Sequence, residues 1–355
     1  MRDAAGEDSA RSRAERLLRM KVLFNCHVPF MLAHGGAQVQ IEQTKAALEQ
    51  IGVETAFLEW WNDRQTGDIL HHFGAIPLET IRQARNKGWK VANTILLSQT
   101  CNRSRRALLL RRVLVRAAMA APLPQAFQLY WHSFRLCDRV LVSLEAEKQI
   151  LVRSYGVQQR AVRKVPLGLK AAFLKAGPGR RTGDYLITHG TIAPVKNSVE
   201  LARLAVEAQV PVLFVGKPFA EGNGYWEQFR GLVDNRYVRY HPHVAGEAEM
   251  IGLLQQARGF VLKSRFENWS LAAHEAVACG LPLLLPELPW SRERFGSQAS
   301  YFPRKGPAQV AALRDFYQQC PSAPPPKVRL YSWREVAEIL REAYADDPKS
   351  KPVAA

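Results

Sequence analysis

Between Gly259 and Leu285 the chain spells a strand, a loop, a helix and a second strand in 27 residues, and few architectures accept that order. The apolar run Gly259-Phe260-Val261-Leu262 comes first. A helix-like stretch that starts near Asn268 to Ser270 ends at Gly280, and Pro282-Leu283-Leu284-Leu285 follows. Glycine suits a helix stop, and short apolar runs bounded by turn residues suit buried strands. The unit is one βαβ crossover of a parallel sheet. Ligands of such sheets lie at the carboxyl ends of the strands, where the helices begin. Glu267 falls in the loop of this unit and Glu275 falls inside its helix, with seven residues between them.

That spacing has a chemical use. Asn268 and Ser270 are both good N-cap types, so the helix is expected to start between them. The first amides of such a helix favour an anion, for instance a diphosphate. Glu275 lies five residues beyond Ser270, roughly 7.5 Å along the axis. A carboxylate there can accept hydrogen bonds from two adjacent hydroxyls, as on a ribose. Glu267 faces whatever lies beyond the phosphates. Sugar, diphosphate, ribose and base succeed one another in this way in a nucleotide-sugar. The same residues equally describe a capped helix with one buried, paired glutamate, and spacing alone does not choose.

The segment from Lys263 to Gly280 resembles the E-x7-E motif of retaining glycosyltransferases with the GT-B fold, of the family 4 type (group 1). The usual form is Pro-Ser-x-x-Glu-Gly-Phe-Gly-x-x-x-x-Glu-Ala-x-Ala-x-Gly. Ser264, Glu267, Glu275, Ala276, Ala278 and Gly280 match it. Lys263, Asn268, Trp269 and Ser270 depart from it. The resemblance implies that Glu267 contacts a donor sugar, that Glu275 holds the ribose, and that backbone at Ser270 and Leu271 holds the diphosphate. Asn268 and Arg265 fall in the same donor loop.

Three further stretches join the resemblance. Gly35-Gly36 opens the first βα turn, where the family's Gly-Gly lines the donor diphosphate; glycine lets backbone approach closely. Gly190–Asn197 stands where the family shows Gly-Arg-Leu-x-x-x-Lys-Gly. Lys196 matches the lysine that neutralises the diphosphate leaving group, a form of electrostatic stabilisation. Thr191 replaces the arginine, which puts the usual donor geometry in question; Arg265 or Lys217 is the candidate substitute. His71 and His72, read at a strand exit, are candidates for contact with acceptor or sugar, against an ordinary role as polar caps.

A chain of 355 residues with 47% apolar content is expected to form two domains with full cores. The formal net charge of +17 calls for an anionic partner. Much of it lies in Arg103, Arg105, Arg106, Arg111, Arg112 and Arg116, interleaved with leucine and valine and no acid. A basic amphipathic helix reads as an element for an anionic membrane surface, and equally as a solvated basic face. Aromatic residues are nearly absent there, so nucleic acid is not expected. The five cysteines form no C-x-x-C pair and no Asp-x-Asp motif occurs, so neither a metal nor another cofactor is expected. No apolar run is long enough to span a membrane. A cytoplasmic enzyme, peripheral on the inner membrane face and active in polysaccharide assembly, is the expectation.

Strand and helix signals alternate twice along the chain. The expected fold is α/β: two Rossmann-like, doubly wound domains facing across a cleft, as the GT-B resemblance implies. Residues 1–19 are expected as a disordered extension, 20–165 as the acceptor-binding domain and 166–184, rich in proline and glycine, as a linker. Residues 185–330 are expected as the nucleotide-sugar domain, 331–345 as a helix crossing back to the first domain, and 346–355 as a tail. The expected activity is sugar transfer from a nucleoside-diphosphate donor to a hydroxyl of a glycan or lipid-linked acceptor, with retention. The alternatives are a GT-B epimerase or hydrolase, and a weakened sugar-nucleotide-binding protein.

Overall fold

The computed structural model of the protein describes residues 20–27, 36–120, 129–220, 222, 224–242, 244 and 246–346. Residues 1–19, 347–355 and Gly35 lie outside the described residues. The chain divides into two compact units. One comprises Met1–Gly168 together with Trp333–Ala355, and the other comprises Leu169–Ser332.

The first unit carries six strands: β1 (Lys21–Cys26), β2 (Glu54–Phe57), β3 (Ile69–Phe73), β4 (Lys90–Thr94), β5 (Arg139–Val142) and β6 (Val162–Lys164). They pair in parallel in the order β2-β1-β3-β4-β5-β6. Parallel strands covered on both faces read as continuous apolar runs, and β3 and β5 are buried at every position. The sequence order reverses beside β1, between β1 and β3. The helix Trp333–Ala345 buries Val336, Ala337, Leu340, Ala343 and Tyr344, and packs on the helix Gly36–Gln50. Tyr344 reaches β3, where its hydroxyl lies 2.7 Å from His71 Nδ1.

The second unit carries β7 (Leu186–His189), β8 (Val212–Val215), β9 (Val238–His241), β10 (Gly259–Val261), β11 (Leu283–Pro286) and β12 (Ser300–Phe302). All pairs are parallel and the order is β12-β11-β10-β7-β8-β9. Counted from β7, this is the doubly wound order 3-2-1-4-5-6, whose switch point lies between β7 and β10. Leu186, Phe214, Val238, Leu284 and Leu313 fill the core under the helices Ser198–Ala208 and Ala308–Gln319.

The stretch 166–184 is not a linker beyond Gly168. It holds the helix Ala171–Ala176, and it is packed into the second unit. Gly179 and Arg181 hydrogen-bond through their amides to Cys279 and Gln255 carbonyls, and the Arg181 guanidinium donates to the Cys320 and Ala323 carbonyls. A Cβ at Gly179 would lie 2.2 Å from the Gln255 carbonyl oxygen, so the glycine there serves close packing, not freedom.

Candidate functional site

Three loops of the second unit, after β7, β8 and β10, meet at its switch point, and residues expected from the sequence gather there. β7 ends at His189, and Gly190 turns the chain towards the helix Ser198–Ala208. Gly216, after β8, has φ +152°, and a Cβ on it would lie 1.9 Å from the Gly190 carbonyl oxygen. The two loops therefore touch through bare backbone. Beyond β10, the Arg265 amide donates to the Val195 carbonyl at 2.9 Å, which ties the Glu267 loop to the Lys196 loop.

That tie brings two expected residues into contact. Lys196 Nζ forms an ion pair with Glu267 Oε1, and the Ser264 hydroxyl donates to the same oxygen at 3.0 Å. The pair is not sealed: the lysine side chain is 29% exposed and the glutamate 14%. Thr191 lines the pocket beside Gly190 and Lys196 and is half-buried. Arg265 and Lys217 are exposed.

Ser270 caps the helix Leu271–Ala278, with φ +51° and its hydroxyl accepting from the Ala273 amide at 3.4 Å. Its carbonyl accepts from the His274 amide and from His274 Nδ1, at 3.3 and 2.9 Å. The first-turn amides left over by this cap are those of Leu271 and Ala272. The left-handed backbone at Ser270 explains why glycine is the common residue at that place: only glycine takes this conformation without steric cost. Asn268 and Trp269 are buried. Trp269 stacks on His274 at 4.9 Å with an interplanar angle of 7°, and the Arg294 guanidinium lies 3.8 Å above the indole. Arg294 donates to His274 Nε2 at 3.3 Å. Burial, opposed by the hydrogen bond to Ser270, holds the His274 value down to about 3. The histidine is thus a neutral packing residue behind the loop.

Glu275 points to a partner that no motif singles out. His189 Nε2 lies 3.2 Å from Glu275 Oε2, with side chains 11% and 17% exposed. The approach has ion-pair distance without the alignment of a hydrogen bond. Burial raises the Glu275 value to about 7, against a lowering by Lys170 and a further raising by Glu247. Only the position of His189, directly before the glycine of the Gly190–Asn197 stretch, hinted at it.

In the first unit, Gly36 is the exposed first residue of its helix. His71 and His72 do not stand at an open strand exit. Both are fully buried. His71 bridges the Thr94 and Tyr344 hydroxyls, each at 2.7 Å, and burial first, then His72, hold its value down to about 3. His72 Nε2 donates to the Ala75 carbonyl at 3.2 Å, and its ring lies 4.6 Å from that of His27. His71 is a core residue, because β3 is covered on both faces.

The arginine-rich segment forms the helix Arg105–Ala120. Its one fully buried residue is Val115. Leu109, Leu110, Val113 and Leu114 are 60–64% exposed. At about 100° per residue these four span an arc on the side opposite Val115. Arg105, Arg112 and Arg116 run along one edge of that arc and Arg111 lies on the other. No helix among the described residues is long and apolar enough to cross a membrane.

No family model matches the chain. Over 170 residues it is 28% identical to a D-inositol 3-phosphate glycosyltransferase of Kineococcus radiotolerans, covering 41% of this chain and 39% of that protein. Over 172 residues it is 23% identical to the GtfA subunit of a UDP-N-acetylglucosamine–peptide N-acetylglucosaminyltransferase of Streptococcus pneumoniae, covering 47% and 34%. The chain thus spans well under half the length of these curated relatives. Among solved structures, Anabaena HepE in complex with UDP and glucose superposes with a TM-score of 0.62 at 12% identity, over 92% of this chain and all of the other. Sucrose-phosphate synthase of Thermosynechococcus elongatus gives 0.60 at 14% identity, over 92% and 94%. The chain has the GT-B fold of the group 1 glycosyltransferases, and part of its sequence is related to enzymes of that type.

Proposed function

We propose that this protein transfers a sugar from a nucleoside-diphosphate donor to a hydroxyl of a glycan or lipid-linked acceptor, with retention at the anomeric carbon. One observation carries the reading: both glutamates of the E-x7-E segment, Lys196 and a capped helix start meet at the switch point of one sheet. That both relatives are named as glycosyltransferases and that HepE was solved with UDP and glucose support it.

Each group then has a task. Glu275 accepts hydrogen bonds from the ribose diol. The Leu271 amide and the backbone at Ser270 meet the diphosphate. Lys196 stands beside the same phosphates and stabilises the negative charge that grows on them as the glycosidic bond breaks. Glu267, now held by Lys196 and Ser264, turns to the hydroxyls of the donor sugar. Thr191 edges the pocket that Lys196 lines, and Arg265 lies on the Glu267 loop. In a retaining reaction of this kind the acceptor attacks on the face the phosphate leaves, and the leaving phosphate oxygen takes the acceptor proton.

A thermal-shift screen against UDP-, GDP-, ADP- and dTDP-sugars tests the reading, since a ligand that binds only the folded state stabilises it. One nucleotide is expected to raise the Tm, and Glu275→Ala to abolish the rise. Product analysis with acceptors follows. Binding without turnover across a range of acceptors would leave a sugar-nucleotide-binding protein; product without acceptor would indicate a hydrolase or epimerase.

The reading also sets the helix Arg105–Ala120 on an anionic membrane surface, where a lipid-linked acceptor would arrive. Its outward apolar arc has leucines and a valine to insert and arginines to meet phosphate headgroups, each worth about 1 kcal/mol near an anionic leaflet. Leu110→Glu with Leu114→Glu is expected to abolish cosedimentation with phosphatidylglycerol vesicles while leaving the Tm within a few degrees; retained binding would contradict the assignment.

A further inference from the structure

His189 is the last residue of β7 and Glu275 lies on the second turn of the helix Leu271–Ala278. The strand and the helix thus present the two side chains to each other from opposite sides of the switch point. Phe260, on β10, meets the edge of the imidazole with ring centroids 5.9 Å apart, so the ring is backed by an aromatic wall. The histidine also lines the pocket that Gly190, Thr191 and Lys196 share.

The environment of the pair sets what it can do. Lys170 and Glu247, from two neighbouring elements, face Glu275 but pair with each other at 2.9 Å, so their charges largely cancel. Cys279, one turn along the same helix, has its thiol raised to about 12 by burial and is neutral. Lys196 is taken up by Glu267. Among the described residues, the imidazole is the titratable neighbour that lies at ion-pair distance from Glu275. A carboxylate that receives two hydroxyls of a ribose has to be ionised, since a protonated carboxyl offers a donor of its own where an acceptor is needed.

We propose that His189 is a positioning residue for Glu275: it orients the carboxylate towards the pocket and takes up its proton when the ribose of the donor binds. The inference rests on the donor-binding reading above. In the proposed step the O–H bond of the Glu275 carboxyl breaks and an N–H bond forms at His189 Nε2. The products are a carboxylate and an imidazolium at ion-pair distance. The proton stays within the protein, and binding releases none to solvent.

UDP is the probe, and calorimetry on the full chain between pH 5.5 and 8 is the experiment. Wild-type affinity is expected to change little over that range. In His189→Gln, which keeps a hydrogen-bonding side chain, the Glu275 proton has to leave for solvent. Its affinity is expected to fall about tenfold for each pH unit below the Glu275 value, as linkage to one proton requires. Heats measured in two buffers of different ionisation enthalpy should show close to one proton released at pH 6 in His189→Gln, and almost none in wild type. A merely structural histidine would lower affinity by the same factor at every pH, and that result would overturn the proposal, as would a His189→Gln profile superposable on wild type. Should His189→Gln unfold, His189→Asn is put through the same protocol. Glu275→Gln separates the two layers. If it weakens UDP at all pH values while His189→Gln changes nothing, only the role of His189 falls; if neither wild type nor Glu275→Gln binds UDP differently from a blank, the donor reading falls with it.

Discussion

The two sheets share parallel strands and helical crossovers, yet their carboxyl ends are finished in opposite ways. In the first unit, the ends of β3 and β4 carry His71, His72, Asn93 and Thr94, all buried. Their hydrogen bonds close inward: His71 to Thr94 and Tyr344, Asn93 to the His72 and Gly74 carbonyls at 3.1 and 2.8 Å. In the second unit, the loops after β7 and β10 carry titratable residues in pairs that solvent still reaches, Lys196 with Glu267 and His189 with Glu275. A buried neutral network fixes a fold where its members find partners in the chain, as His71 does on both ring nitrogens; His72 Nδ1 and Asn93 Oδ1 are buried without one. Open pairs are exchangeable: a ligand with diol and phosphate groups can replace each partner in kind. The two sets of strand ends thus differ in closure, one sealed within the chain and the other reached by solvent.

The largest effect is expected at Lys196. Lys196→Ala should lower kcat by roughly 10²–10³, the range seen when one stabilising group for transition-state charge is removed. The KM for donor should move much less. Equal losses in kcat and in affinity, read from steady-state kinetics beside calorimetry, would erase the distinction between the pairs and ordinary binding groups.

His71→Leu probes the other side of the comparison. It leaves the Thr94 and Tyr344 hydroxyls buried without their shared partner, at a cost of about 2–4 kcal/mol. Urea unfolding should show that loss while UDP affinity is unchanged. A drop in UDP affinity with stability intact would return His71 to the list of ligand contacts.

The buried histidines of both units and Glu275 give stability opposite pH dependences. Burial holds His71, His72 and His274 neutral, at about 3, 4 and 3 against an ordinary 6.5. The unfolded chain takes up these protons below 6.5 and the folded chain does not, so stability should decline as pH falls from 6.5 towards 3. Glu275 acts in the opposite sense. Its folded value of about 7 lies above the ordinary 4.5, so the stability it lends as a neutral acid is present below 4.5 and lost as pH rises through 7. Glu275→Gln should therefore gain stability relative to wild type between those two values. A flat difference in urea midpoints across that window would mean that Glu275 is as well solvated as any surface carboxylate.

The smallest effect is expected at Ser270. Its φ of +51° costs about 1 kcal/mol for a residue with a side chain, and glycine at an N-cap loses only a few tenths. Ser270→Gly should raise the Tm slightly and leave donor affinity in place. A clear fall in affinity would show that the hydroxyl itself, and not the backbone it shapes, belongs to the site.

Much of this was legible in the chain. Glu267, Ser270 and Glu275 were readable because a strand, a cap and a helix of fixed rise leave two carboxylates few places to go. Lys196 was readable through the resemblance of Gly190–Asn197 to the family's Gly-Arg-Leu-x-x-x-Lys-Gly stretch. His189 was not, since its meeting with Glu275 depends on β7 and β10 being neighbours, which is a property of strand order and not of local pattern. His71 and His72 were misread for a related reason. Two polar residues at the end of an apolar run look like an exit to solvent, but Tyr344, from the far end of the chain, arrives to satisfy the first of them. The supposed linker was misread because its prolines and glycines allow tight packing as readily as they allow mobility. The short strands β6 and β12, of three residues each, gave no period to detect.

The helix Trp333–Ala345 belongs to the unit that β1 begins, and the amide of Leu169 meets the carbonyl of Tyr331 at 2.7 Å where the chain enters and leaves the other unit. Order of synthesis and order of completion are therefore inverted. The half that the ribosome makes first waits, lacking the cover over His71, until the final helix emerges, while the later half has every segment it needs well before then. Premature termination inside the helix Trp333–Ala345 should leave a finished second unit beside an unfinished first one.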